Sequence, residues 1–219
     1  MIASKPVSAE AWGPLLARLS RIIFMISGPN ASSGEQKLPE SSFMRPSRRP
    51  TPFHKAHSTE LAGKVNIVNG DDRFYNNLFI AGDTPIPPKI NQEDRQRVGY
   101  GMQAWEQAQM PTYVDGNIYF KGAKPLSKEQ NYIEKKAFDP NVRIAEKNGN
   151  VFLELTLDTS IQDLNNTIVN TKLLGLTVIS NLPFENPDGS PLRIDTDYLG
   201  QNRSTTNPAA GPFENIKPG

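Results

Sequence analysis

Two six-residue segments, Asn77-Leu-Phe-Ile-Ala-Gly82 and Asn117-Ile-Tyr-Phe-Lys-Gly122, share one pattern: asparagine, three apolar or aromatic residues, a variable position and glycine. Aromatic and branched residues between turn-formers make a strand. An asparagine returning at the same corner can stack into a ladder and bond the backbone of the next coil, while glycine admits a tight corner. Successive coils of a parallel β-helix show this combination. The expected fold is therefore mostly β, built from the last coils of such a solenoid. Gln92-Glu-Asp-Arg-Gln-Arg-Val98 and Met102-Gln-Ala-Trp-Glu-Gln-Ala-Gln109 read as a helical insertion between the two copies.

The 19 prolines and 16 glycines in 219 residues agree with a chain of frequent turns. A net charge of +1 provides no basic field for nucleic acid. The absence of cysteine removes disulfides, thiolate nucleophiles and cysteine zinc sites.

The C-terminal third reads as an irregular β extension. Val142 to Leu157 is a hairpin with Asn148-Gly149 as its two turn residues, which places Val151, Leu153, Leu155 and Leu157 on one face. Ser160 is the expected N-cap of a short helix, with Asp163 three residues on. Lys172 to Ile179 is expected to return as a strand, and Asn186-Pro-Asp-Gly189 is a turn.

Residues 1–50 differ from the rest. The apolar run Leu15 to Ile26 is interrupted by Arg18 and Arg21, so it is too short and too charged to span a bilayer. Its flanks also fail as a secretion signal. It is expected as a short buried element, and residues 1–50 as an atypical leader, partly disordered or a capping element. Residues 51–214 form the main domain and 215–219 a tail.

The polar chemistry is concentrated just after that leader. Thr51-Pro-Phe-His-Lys-Ala-His-Ser-Thr-Glu-Leu-Ala-Gly63 and the following Gly70-Asp-Asp-Arg73 hold both histidines, three carboxylates and an arginine. Polar groups converging at strand ends suit a polyhydroxylated ligand. Two solvated loops joined by a strand would use the same residue types. His54 and His57 are spaced to face one metal, but the pattern lacks a third ligand, so no metal site is expected. Asp71 and Asp72 can equally cap a turn, and Tyr100 with Trp105 can be a sugar-stacking platform or a packing pair. Asn76 and Asn77 read as ladder residues.

Four ordered segments then carry a resemblance. They are Thr51 to Gly63, Gly70-Asp-Asp-Arg-Phe-Tyr-Asn-Asn-Leu-Phe79, Tyr113-Val-Asp-Gly-Asn-Ile-Tyr-Phe-Lys-Gly-Ala-Lys124 and Asn186-Pro-Asp-Gly-Ser-Pro-Leu-Arg-Ile-Asp-Thr-Asp-Tyr-Leu-Gly200. Together they resemble the C-terminal part of the right-handed parallel β-helix β-xylosidases, glycoside hydrolase family 120. Gly200-Gln-Asn-Arg203 and Gly211-Pro-Phe-Glu214 resemble the end of many β-helix proteins. The resemblance implies retaining hydrolysis of a β-xyloside or related plant-wall oligosaccharide by two carboxylates, without a cofactor. It implies Glu60 as general acid/base, with His54, His57, Asp72 and Arg73 as substrate-binding residues.

The family's nucleophile is an aspartate expected upstream of Thr51, yet residues 1–50 contain no aspartate. Family members are also longer. The chain is thus expected to be a C-terminal portion carrying half of an active site, with an inactive remnant that binds carbohydrate weakly as the alternative. The expected partner is an oligosaccharide, with neither nucleic acid nor membrane. Self-association through an exposed solenoid end and a cytoplasmic location complete the expectations.

Overall fold

The computed structural model describes residues 2–7, 25–27, 50–66, 70–83, 100–106 and 108–215. Among these the chain is mostly strand, with almost no helix. The strands are, in chain order, β1 (Ile2–Val7), β2 (Met25–Ser27), β3 (Pro50–His54), β4 (Leu61–Asn66), β5 (Asp72–Tyr75), β6 (Leu78–Ala81), β7 (Thr112–Asp115), β8 (Asn117–Phe120), β9 (Tyr132–Lys135), β10 (Arg143–Lys147) and β11 (Asn150–Thr156).

Two parallel ladders meeting at a corner organise the body. β5 pairs with β7 so that Asp72 lies opposite Thr112, and β6 pairs with β8 so that Leu78 lies opposite Ile118. Both registers carry the 40-residue offset that separates Asn77 from Asn117. The corner is Asn76-Asn77 between β5 and β6 in one layer and Gly116, directly before Asn117 at the start of β8, in the next. The first turn residue is left-handed in both, with φ of 56° at Asn76 and 72° at Gly116. Asparagine tolerates that region, and glycine enters it without a Cβ penalty. β9 continues the β6–β8 sheet as a further parallel strand, with Ile118 opposite Ile133, and an isolated parallel bridge joins Gly101 to Lys124.

Both faces of the β6–β8 ladder are buried, as expected for parallel strands covered on both sides. On one face Phe79, Ala81 and Tyr119 join Phe74, Met102, Ala123 and Leu126 in an inner cluster. Phe79 stacks on Tyr119 with centroids 5.0 Å apart and ring planes 5° from parallel, so equivalent side chains of successive layers lie in register. On the other face Leu78, Ile80, Ile118 and Phe120 meet Leu155, Leu157, Ile161 and Leu164 from the C-terminal segment.

The expected hairpin at Asn148-Gly149 is present as β10 and β11, with φ of 54° and 73° at its turn. Leu155 and Leu157 face the core, with Leu153 packed beside them. Two pieces of the leader also pair with the body. β1 runs antiparallel to β11, and β2, which holds the end of the Leu15–Ile26 run, lies parallel on the edge of β6.

Three local expectations change. The helix expected from Ser160 is one 3-10 turn, Thr159–Gln162, capped by Asp158, whose carboxylate accepts the Ser160 N–H at 2.9 Å. The strand expected over Lys172 to Ile179 is absent. Asn170 caps a single helical turn, α1 (Thr171–Leu174), and Gly175 with φ of 69° ends it. Apolar Leu173, Leu176 and Val178 reach solvent there, which a buried strand would not allow. Of the helical insertion, residues 92–98 lie outside the described residues, and the second half contributes one 3-10 turn, Gln103–Trp105.

Candidate active site

β3 and β4 form a two-stranded antiparallel ribbon that pairs with no other strand among the described residues. Pro50 and Pro52 fit a ribbon because a strand with an open edge tolerates a missing N–H. The register shifts between Phe53 and His54. The Phe53 ring lies over Gly63, where a Cβ would come within 2.7 Å of it. The connecting loop closes through the Lys55 N–H to the Glu60 carbonyl at 3.0 Å and the Glu60 N–H to the Ser58 hydroxyl at 2.9 Å.

This loop displays three of the residues expected at the site. Glu60 has a side chain 62% exposed, and its carboxylate pairs with the Lys55 ammonium. His57, left-handed with φ of 52°, places Nε2 2.9 Å from Oε2 of Glu185. His54 stands exposed at the end of β3. A general acid in a two-carboxylate hydrolase is held away from bulk water, with its partner carboxylate about 5–5.5 Å off. Among the described residues the polar contacts of the Glu60 side chain are confined to Lys55.

Asp72 and Arg73 lie on β5, where protein groups engage them. Asp72 Oδ2 accepts the Trp105 indole N–H at 3.0 Å, and Trp105 packs edge-on against Phe74 at 5.0 Å. Arg73 is only 5% exposed. It donates to the carbonyls of Leu174 at 3.0 Å, Leu176 at 2.7 Å and Asp71 at 2.5 Å, and pairs with the Asp71 carboxylate. Its guanidinium lies between the rings of Tyr113, at 4.5 Å, and Phe184, at 4.7 Å. Planar charge, multiple donors and two aromatic faces make it a clamp between β5 and the C-terminal segment.

The ladder asparagines behave as the repeat implies. Asn117 Oδ1 accepts the Asn77 backbone N–H at 2.8 Å and its side-chain amide at 3.0 Å. The Asn117 amide donates to the Phe74 carbonyl at 2.8 Å and to Glu129 Oε1 at 2.7 Å. Glu129 is 4% exposed and also accepts the Tyr119 hydroxyl at 2.5 Å. Burial pushes its carboxyl above the usual range, against the pull of the Tyr119 and Asn117 hydrogen bonds. Tyr119 is raised as well, by burial first and by the Glu129 charge second. Sequence reasoning missed Glu129, since Lys128-Glu129-Gln130 looks like solvated surface and gives no local signal of burial.

The four segments that carry the family resemblance, and the two that resemble the end of β-helix proteins, meet in pairs. His57 meets Glu185 beside Asn186, Arg73 lies over Tyr113, and Arg203 pairs with Glu214 at 3.5 Å. No group of three or more metal-ligating side chains occurs among the described residues, and no described helix is long and apolar enough to cross a membrane.

The fold and site thus define a β-rich scaffold of parallel ladders that displays a histidine-bearing loop with one lysine-paired glutamate. Among solved structures the chain is similar to the complex of XylC with xylose, at 34% sequence identity and a TM-score of 0.64. That likeness covers 78% of this chain and 29% of the XylC chain, so the protein spans less than a third of its solved relative. No protein-family model matches the sequence. No curated protein matches it.

Proposed function

We propose that this chain is the C-terminal part of a retaining β-xylosidase of glycoside hydrolase family 120, built on the last coils of a right-handed parallel β-helix. The likeness to XylC in complex with xylose, at 34% identity over 78% of the chain, carries the reading. The 40-residue register shared by two parallel ladders and the asparagine ladder at their corner support the solenoid. In this proposal Glu60 protonates the leaving oxygen and later activates water, while an aspartate outside residues 51–214 attacks the anomeric carbon. His54 and His57, on the same loop, contact the sugar hydroxyls, and Asp72 and Arg73 shape the wall behind them. Residues 1–50 act as a capping leader, and the enzyme works on imported oligosaccharides in the cytoplasm.

Nitrophenyl β-xyloside hydrolysis by the wild type and Glu60→Gln tests the assignment. Loss of one member of a cooperating pair removes most of the rate, so equal rates from the two proteins would sink it. The open, Lys55-paired setting of Glu60 favours a second reading, a carbohydrate-contacting remnant without turnover. That reading predicts no hydrolysis but measurable heat on titration with xylo-oligosaccharides.

A further inference from the structure

We propose that Glu185 is a positioning residue for His57: it fixes the proton of the neutral imidazole on Nε2 and so presents Nδ1, from the same loop as Glu60, as an acceptor for a hydroxyl of a neutral sugar. Nε2 lies 2.9 Å from Oε2 of Glu185, across 128 positions of sequence. An ionised carboxylate only accepts, so the nitrogen that faces it carries the hydrogen. A neutral imidazole has one donor nitrogen and one acceptor, which leaves the free lone pair on Nδ1. The nature of the hydroxyl partner rests on the hydrolase reading; the tautomer does not.

The carboxylate is carried by a braced segment. Phe184, one residue before it, lies on the Arg73 guanidinium and packs with the Val169, Leu174 and Ile194 cluster, and its carbonyl accepts the Thr171 hydroxyl at 2.6 Å. One residue after it, the Asn186 N–H bonds the Ser190 carbonyl and the Gly189 N–H bonds the Asn186 carbonyl, both at 2.9 Å. Gly189 seats the imidazole by one edge. A Cβ there would lie 3.3 Å from Nε2, 3.5 Å from Cε1 and 4.0 Å from Cδ2. The edge bearing Nε2 is therefore turned to the C-terminal segment.

The other nitrogen is left for a ligand. Among the described residues the hydrogen bonds of the His57 ring are confined to Glu185, and the side chain is 52% exposed. Neighbouring carboxylates are already engaged: Asp188 accepts from the Ser190 N–H at 3.0 Å and from its hydroxyl at 2.6 Å, and Glu60 pairs with Lys55. An acceptor on Nδ1 takes an O–H and gives nothing to an anion. Glu185 meets the ring and Asp188 interacts with it electrostatically, so two negative charges also oppose an acidic ligand there. A neutral polyol satisfies both conditions. The bond made by one ring nitrogen thus sets what the other offers, as in histidines whose tautomer is fixed by a carboxylate partner.

Nitrogen-15 NMR of the imidazole rings tests this without reference to turnover, and the chain has only 2 histidines to resolve. His54→Gln assigns them. Spectra are taken at about pH 8.5, beyond the range in which an imidazole ordinarily takes up a proton. Donor and acceptor nitrogens of a fixed neutral ring resonate far apart, whereas a ring exchanging between tautomers shows averaged positions. In the wild type His57 should show one tautomer with the proton on Nε2, and His54, exposed at the end of β3, the averaged pair. In Glu185→Gln, whose amide offers either an oxygen or an N–H, His57 should move to averaged positions; Glu185 lies outside the buried apolar clusters, so the variant keeps the core. Titration with xylose should then shift Nδ1 of the wild type while Nε2 stays nearly still. A wild-type ring averaged like His54, a proton found on Nδ1, or a single Nε2–H tautomer retained in Glu185→Gln would each overturn the proposal. A fixed tautomer whose Nδ1 ignores xylose would overturn the presentation to a sugar, and with it the place of His57 in the proposed hydrolase, while the role of Glu185 in fixing the ring stood.

Discussion

Replacing Asn117 with alanine should destabilise the protein by about 3–4 kcal/mol, because one fully buried side chain serves three other groups. Without it the Asn77 N–H loses its acceptor, the Phe74 carbonyl its donor, and the Glu129 carboxylate one of its bonds. A stranded buried donor or acceptor costs about 1–3 kcal/mol. The three groups relax together, so their costs do not simply add. Urea unfolding followed by far-UV circular dichroism measures the difference, and a thermal melt should fall by about 10 °C for a chain of this size. Asn117→Asp provides a sharper discrimination. Its carboxyl oxygen still accepts from Asn77, but the group facing Phe74 and Glu129 becomes an acceptor. Two carboxyls must then share a proton in the core, and both are held above the ordinary carboxylate range. Their protonated form stabilises the fold at low pH, and that stability is lost as pH rises through their folded values. The aspartate variant should therefore be closest to wild type near about pH 5 and weakest near about pH 8. A loss below about 1 kcal/mol in the alanine variant, with an unchanged denaturant slope, would refute the ladder's structural role.

Other perturbations follow from the same geometry. Glu129→Gln retains an oxygen for Asn117 and lets the Tyr119 hydroxyl become the acceptor, so it should gain about 1 kcal/mol at about pH 8 and flatten the pH dependence; a loss at both about pH 5 and pH 8 would show that the charge itself is needed. Gly116→Ala forces a Cβ to within 2.3 Å of Asn166 Oδ1 and 2.5 Å of Asn76 Oδ1 at a φ of 72°, which should cost about 2–4 kcal/mol; a melting temperature within about 3 °C of wild type would contradict it. The Lys135 ammonium, 2.6 Å from Asp158, is the first cause holding that carboxyl down to about 2, with the Ser160 N–H assisting. A depressed carboxyl stabilises the fold above its unfolded value and loses that contribution as pH falls through the folded one. Lys135→Met should thus cost about 1 kcal/mol at neutral pH, after solvent screening of a partly exposed lysine, and only a small part of that near about pH 2; urea midpoints at the two pH values decide it.

Features written in adjacent residues were legible before any coordinates. Asn148-Gly149 specifies its hairpin because both residues accept positive φ and the flanking strands alternate. The Asn77 and Asn117 hexapeptides specify stacked layers because one residue type returns at the same corner. Local propensity misled over Lys172 to Ile179, whose leucines and β-branched residues match a strand. The caps at Asn170 and Gly175 instead close one helical turn there, and the carbonyls of Leu174 and Leu176 turn toward Arg73. Trp105 read as a packing residue ahead of a sugar-stacking one, and it packs edge-on against Phe74 while its indole N–H meets Asp72.

What the sequence by itself determined is the local chemistry: strands with apolar centres, a repeated asparagine corner, turn residues able to take left-handed angles, and a loop rich in titratable groups. Tertiary structure alone decided which of those groups are spent and which are presented. Arg73 became a buried clamp because chain more than a hundred residues away offers it two carbonyls and a phenylalanine ring. Glu129, unremarkable in its own segment, became the end of the ladder because the layer carrying Asn117 closes over it. His57 acquired a partner 128 residues distant. Hydrogen bonds and burial depend on distance in space, and a folded chain brings together residues whose separation in sequence carries no record of the meeting.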